Sequence, residues 1–263
     1  MKKILALLSV LFMLNLYCGE ANAAIIIPKA IAEQIEVLGY SPSEQGFFEA
    51  AKNGDIRVLG LFMEANAYVN LRDEMRRTPV YYAAENGQEK AVQFLLLYGA
   101  DINIRDENMK SPLMAAIEAK SYPTAKLLLD VNANVQISDD NGRTPLHYAV
   151  MYKQTETAQA ITNKFCDVDS PDNDGNTPLF YAFNKIPLIR VLLRAGADIN
   201  GLNNDGKTVL HQAVITNNLQ SAKFLIENGA NVNIKDQNGH TPIFYTEQNS
   251  PLYMLLLESG AKI

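Results

Sequence analysis

The chain is 263 residues long, 48% hydrophobic and 20% charged, with 15 Gly, 11 Pro, 2 Cys and no Trp. That is a globular composition, and it excludes disordered, collagen-like and disulfide-stapled classes. Lys+Arg 23 against Asp+Glu 29 leaves a net charge of −6, so no overall positive field gathers phosphates, which argues against nucleic acid or acidic membrane surfaces as main partners.

Residues 1 to 23 read as a secretory signal of bacterial type. Lys2 and Lys3 form a positive start, Ile4 to Leu16 an apolar core, and Ala21-Asn22-Ala23 the small-x-small pattern that a signal peptidase accepts. The apolar run is shorter than the ~20 residues of a spanning helix, so cleavage after Ala23 is expected rather than a retained anchor. Lipidation at Cys18 is the weaker alternative, because Leu16 and Tyr17 before it are not the small residues of a lipobox. Export makes the periplasm the expected destination, with release outside the cell the second choice. After cleavage Cys166 alone remains, and a single thiol forms no internal disulfide.

Residues 24–44 are read as a capping helix and linker. Pro28 starts an amphipathic segment with Ile31, Ile35 and Leu38 on one face, suited to covering an open end of a stack. From residue 45 onward one unit repeats. Thr78-Pro79, Ser111-Pro112, Thr144-Pro145 and Thr177-Pro178 follow at intervals of 33 residues, Thr208-Val209 after 31, and Thr241-Pro242 after 33. A brief helix follows each anchor, since Thr caps free amides and Pro presets φ at the first helical position. A second helix carries Val92, Leu95 and Leu96, or Ile189, Leu192 and Leu193, at helical spacing. It ends in Gly-Ala-Asp-x-Asn, as at Gly99 to Asn103 and Gly196 to Asn200. The spacing from that Gly to the next anchor is always twelve residues, which predicts projecting loops of one length. Two-residue shortenings fall instead between the helices of the fifth and seventh units, near Pro187 and Pro251.

These residues, with Thr144-Pro145-Leu146-His147-Tyr148-Ala149 as the fullest copy, resemble the ankyrin repeat, whose period is 33 and whose signature is T-P-L-H-x-A. The resemblance implies an all-α solenoid over residues 45–263, with repeats starting near 45, 78, 111, 144, 177, 208 and 241. It also implies a monomeric, non-catalytic module that holds a protein partner in a concave groove and at its hairpin tips. A secreted factor acting on a host protein is the alternative. An enzyme has no supporting residues: no phosphate loop, nucleophile elbow or paired-Cys motif occurs. Neither a cofactor nor a metal is expected. Asp172-Asn173-Asp174-Gly175 resembles the front of a calcium loop, but the twelfth position would be Tyr181 rather than Glu and the first Ser170 rather than Asp. Turn chemistry accounts for the stretch. His147 and His211 are expected to bond within the turn and helix start, His240 to be solvated, and Cys166 to be a small buried packing residue.

Four residues after each anchor is the position expected to face the groove. It holds Glu49, Tyr82, Ala115, Tyr148, Tyr181, Gln212 and Tyr245. Two roles stand side by side for the tyrosines: recognition, or packing on the next repeat with a local hydrogen bond. Two positions before the anchor, Gly142, Gly175, Gly206 and Gly239 give way to Arg76 and Met109, so those turns either change shape or place a non-Gly residue under strain. With Arg72, Arg77, Arg105 and Lys110, these loops carry positive charge suited to an acidic partner.

Overall fold

The computed structural model describes residues 25–262; residues 1–23, read from sequence as a secretory signal, and Cys18 within them lie outside the described residues. The chain divides into two compact units, the boundary falling between Ile104 and Arg105. Fourteen α-helices and one 3-10 helix are found among the described residues, and no strand.

In the first unit α1 (Lys29–Val37) precedes two helix pairs, α2 (Glu44–Asn53) with α3 (Ile56–Glu64), and α4 (Pro79–Glu85) with α5 (Glu89–Leu97). Helix α1 lies against α3, and its Ile35 is fully buried, as its apolar face anticipates. The first repeat begins slightly earlier than its register suggests, because Ser43 accepts the Gly46 amide and caps α2. Phe47 and Phe62 meet at 5.1 Å in the centre of this unit.

The second unit continues with α6 (Pro112–Glu118), α7 (Tyr122–Asp130), α8 (Pro145–Met151), α9 (Thr155–Thr162), α10 (Pro178–Tyr181), α11 (Ile186–Arg194), α12 (Val209–Ile215), α13 (Leu219–Glu227), the 3-10 helix Pro242–Tyr245, and α14 (Pro251–Glu258). Each first helix packs on its own second helix and on the first helix of the next repeat. Leu113, Leu128, Leu146, Ile161, Leu192, Leu225 and Leu256 are essentially fully buried between pairs. At about 1.5–3 kcal/mol for each such side chain, burial between neighbours holds the stack, and no pair has a core of its own. The first helices of the fifth and seventh repeats last four residues rather than seven, where the spacing is short. Thr177 and Thr241 make no side-chain cap there, whereas Thr78, Ser111 and Thr208 each accept the amide three residues on.

The second helices close in one way. Ala133, Ala197, Ala230 and Ala261 donate their amides to the carbonyls of Leu128, Leu192, Leu225 and Leu256, and Ala67 and Ala100 do the same in the first unit. The Asn ending the motif ties this closure to the next one: Asn200 accepts the Asn231 amide, Asn233 that of Lys262, and Asn70 that of Asp101. Repeat four departs from the pattern. Phe165 replaces Gly with φ of 23° and stands fully exposed, while Ile161 accepts from Lys164 instead of from residue 166. Cys166 is therefore half-buried rather than enclosed like Ala67, Ala100, Ala133, Ala197 and Ala230.

Candidate functional site

Each projecting hairpin begins from one Asp or Asn. In the second unit Asp139 takes the amides of Asn141 and Arg143 on Oδ1, and Asp172 takes those of Asp174 and Asn176. Asp106, Asn203 and Asp236 do likewise with the residues two and four positions on. The short polar side chain satisfies donors that the tight turn would leave open. Successive hairpins are also bonded to one another: the amides of Asp140, Asn173, Asn204 and Gln237 donate to the carbonyls of Asn108, Asn141, Asp174 and Asp205.

The expected groove tyrosines complete this clamp. Tyr148 donates its hydroxyl to Asp139 Oδ2 at 2.8 Å, and Tyr181 and Tyr245 bond Asp172 and Asp236, always nine residues back. Tyr82 bonds Asp73 in the first unit at 2.7 Å. One carboxylate oxygen thus holds the turn and the other holds the helix to it. Burial and the bond to Asp73 push the Tyr82 hydroxyl up to about 12; Tyr148 is raised for the same reasons through Asp139. For Tyr245 the bond to Asp236 is the leading cause of a rise to about 12. Tyr148 is only 4% exposed, so its ring packs rather than presents a surface; Tyr82, Tyr181 and Tyr245 are half-buried. Gln212, where the hairpin residue is Asn203, is half-buried beside Asp174, Asn204 and Lys207 in a shallow cleft of ≈ 290 Å³. Ala115 is buried and Glu49 half-exposed, bonded to Gln45.

Arg76 and Met109 resolve the question of their turns. Both adopt φ of 61°, against 77° and 76° at Gly142 and Gly175, and both donate the same turn hydrogen bond. The shape is kept and the strain is accepted. Of the cations in the first unit, Arg77 pairs with Asp73 at 3.0 Å and lies over the Tyr82 ring, while Arg72 and Arg76 are exposed. In the second unit Lys110 pairs with Glu118 at 2.8 Å, and Arg105 reaches the Ser138 carbonyl. Tyr152 also donates to Glu118, a partnership across repeats with no fixed spacing to reveal it in sequence.

The histidines are framework groups or stacked. Thr144 N–H donates to His147 Nδ1 at 3.1 Å, which leaves the proton on Nε2 to be donated to the Asn176 carbonyl at 3.0 Å. His211 repeats this between Thr208 and the His240 carbonyl. Burial pushes both imidazoles below the usual histidine value, outweighing these backbone bonds. His240, expected to be solvated, is half-buried and stacked on Phe244 with ring centres 3.5 Å apart. Burial pushes the Cys166 thiol up. No cluster of metal-ligating side chains occurs among the described residues.

The family model described as Ankyrin repeats (3 copies) matches residues 47–139, 131–203 and 182–263. The potassium channel AKT3 of Oryza sativa subsp. japonica is 38% identical over 79 residues, which is 30% of this chain and 9% of the channel. An ankyrin repeat protein of Borreliella burgdorferi is 38% identical over 71 residues, 27% of this chain and 17% of that protein. The chain thus spans a small part of these relatives. Among solved structures, the human ASB11 ankyrin repeat domain superposes with a TM-score of 0.72 at 24% identity, over 82% of this chain and 98% of that one. The ankyrin repeat domain of Bcl-3 gives 0.72 at 25% identity, over 80% and 97%.

Proposed function

The chain belongs to the ankyrin-repeat family, and from that premise we propose that it is an exported, non-catalytic module that binds a protein partner through its hairpin tips and the adjoining first helices. Ankyrin repeats are generally protein–protein interaction modules on a scaffold that is typically non-catalytic. One observation carries the reading. The residues that shape each hairpin are committed to internal hydrogen bonds, and the polar tips they hold out are exposed: Glu107-Asn108, Asp140-Asn141, Asn173-Asp174, Asn204-Asp205 and Gln237-Asn238. A fixed frame with polar, solvent-facing ends is suited to recognition, because little ordering is needed on binding. The tyrosines support it indirectly, by fixing the loops. Residues that would serve catalysis are otherwise engaged: both buried histidines hold the frame, and the Cys166 thiol is raised by burial.

The leader at 1–23 makes export part of the proposal, with the periplasm as destination. Fractionation tests it: mature chain recovered from the medium would favour the secreted, host-directed alternative, and cytoplasmic chain with its leader intact would overturn export. For the surface, a photoreactive residue replacing Asn141 or Asp174 is expected to crosslink a discrete protein in cells. The same residue replacing Lys126, exposed on a second helix, is expected not to. Crosslinks confined to the Lys126 position would sink the tip assignment.

A further inference from the structure

Repeats four and five are joined by a carboxylate where four other joints use a side-chain amide. After the second helix of a repeat, one polar side chain reaches the next closure and makes two bonds there. Asn200 Oδ1 accepts the Asn231 amide at 2.8 Å, while its Nδ2 donates to the Gly229 carbonyl at 3.5 Å. Asn233 does the same with Lys262 and Gly260, Asn70 with Asp101 and Gly99 in the first unit, and the longer Gln136 with Asp167 and Phe165. At the joint of repeats four and five this place is held by Asp169. Its Oδ1 and Oδ2 share one donor, the Asp198 amide, at 3.2 and 3.0 Å. An ionised carboxylate has no hydrogen to give, and the Gly196 carbonyl, counterpart of the Gly229 carbonyl, accepts no hydrogen bond among the described residues.

The carboxylate stands among others. Asp167 holds the Asp169 amide and the Ser170 hydroxyl, and Asp198 holds the Asn200 amide. No Lys or Arg pairs with any of the three among the described residues. Burial pushes the Asp169 carboxyl above its ordinary value; the Asp198 amide bond opposes that push, and the charges of Asp198 and Asp167 add to it. These two carboxylates are the charged groups that bear on Asp169. The repeat-four side of the joint is loosened as well, since Phe165 takes the place of Gly and Ile161 lacks the closing bond from residue 166.

We propose that Asp169 makes this joint acid-responsive: with a proton taken from solvent it donates to the Gly196 carbonyl as the side-chain amides do and the joint closes, whereas the ionised carboxylate leaves the second-helix ends of repeats four and five loosely held. The folded carboxyl lies above the unfolded value of 3.8, so across that interval the folded chain binds more protons. The cost of the ionised group is fully present above the folded value and is relieved as pH falls through it. The consequence is a stack whose looseness at one place within the second unit depends on acidity, whatever its hairpins bind.

Amide hydrogen exchange on the full chain provides the test, with the Asp101 amide, held by Asn70, as internal reference. Between about pH 7 and about pH 4.5 the relative protection of the Asp198 amide is expected to rise about threefold. Asp169→Asn should hold that protection at its higher level at both pH values. The same variant should raise the melting temperature at neutral pH by about 2–4 °C, the shift expected for one added hydrogen bond. Asn200→Asp should transfer the response to the Asn231 amide. Asp198 protection indifferent to pH, a response that persists in Asp169→Asn, or an Asn231 amide that stays indifferent to pH in Asn200→Asp would overturn the proposal. The hairpin at 172–176, which His147 holds, should keep its own acid response in Asp169→Asn; its loss there would assign the effect to the whole repeat rather than to this carboxylate.

Discussion

Two hairpins of the second unit, at 106–110 and 172–176, reach one shape from different residues. Met109 occupies the place of Gly175, and the two turns differ by 15° in φ. Asp106 and Asp172 each take two amides on a single oxygen with nearly equal lengths. The carboxylate clamp therefore sets the turn, and glycine lowers its strain. The hairpins differ in how the next one joins. Asn204 adds a side-chain amide bond to the Asn173 carbonyl, whereas Asp140, arriving beside Met109, has no N–H to donate and brings only its backbone bond to Asn108. A repeat can thus forgo glycine where the contact beyond it is looser, and it gains a side chain at the tip.

The largest effect expected separates conformation from close approach. Gly175→Ala imposes positive φ on an L side chain and drives Cβ onto the Asn204 nitrogen, so a loss of about 3 kcal/mol in denaturant unfolding is expected. Gly239→Ala imposes the same backbone strain into open space and should cost only about 1 kcal/mol. Equal losses would show that packing between hairpins contributes nothing. Next in size is Tyr148→Phe. It leaves Asp139 Oδ2 without its hydroxyl donor in a buried place, and about 1–2 kcal/mol should be lost, read as a lower melting temperature. An unchanged melt with diminished partner crosslinking would instead return Tyr148 to recognition.

The frame was largely legible in the sequence, because a solenoid writes its contacts at fixed spacing. Counting locates the two-residue shortenings in the fifth and seventh repeats but places them between the helices, whereas the first helices after Thr177 and Thr241 are themselves cut to four residues. The partner of the tyrosines was present as a constant nine-residue interval from Asp139 to Tyr148, Asp172 to Tyr181 and Asp236 to Tyr245. The interval alone does not tell which way a ring points, so packing and recognition stand equal in the sequence. Cys166 departs from its expected burial for a related reason. The burial of alanine at that place depends on the closing bond of the second helix, and Phe165 in place of Gly alters the closure. His240 depended on its neighbour, since Phe244 offers a stacking face where a histidine would have bonded onward.

Acid provides a smaller and more local way to distinguish hairpins. His147 and His211 hold the hairpins at 172–176 and 236–240 through Nε2, with Nδ1 accepting, whereas Met114 stands at that place before the hairpin at 139–143. The folded imidazoles lie below their unfolded value of 6.5, so the unfolded chain binds more protons in the acid range. Their contribution is complete above about 6.5 and is lost as pH falls toward the folded values. Amide exchange should accelerate below that point at residues 172–176 and 236–240 before it does at 139–143. Uniform acceleration across the three hairpins would contradict this assignment.

The smallest effect tests whether the clamp or the residue sets the turn. Met109→Gly removes a positive-φ cost of about 1–2 kcal/mol but restores freedom to the unfolded chain, at about 0.4–1 kcal/mol, so a net gain of about 0.5 kcal/mol is expected. Met109→Ala removes the same side chain while keeping the strained backbone, and the difference between the two variants isolates the conformational contribution from packing. Because Asp106 holds both amides in every case, the chemical shifts of Asn108 and Lys110 should change little in either variant. Large shifts in Met109→Gly would mean that the methionine, rather than the carboxylate, had been shaping the turn, and the equivalence of the two hairpins would be lost.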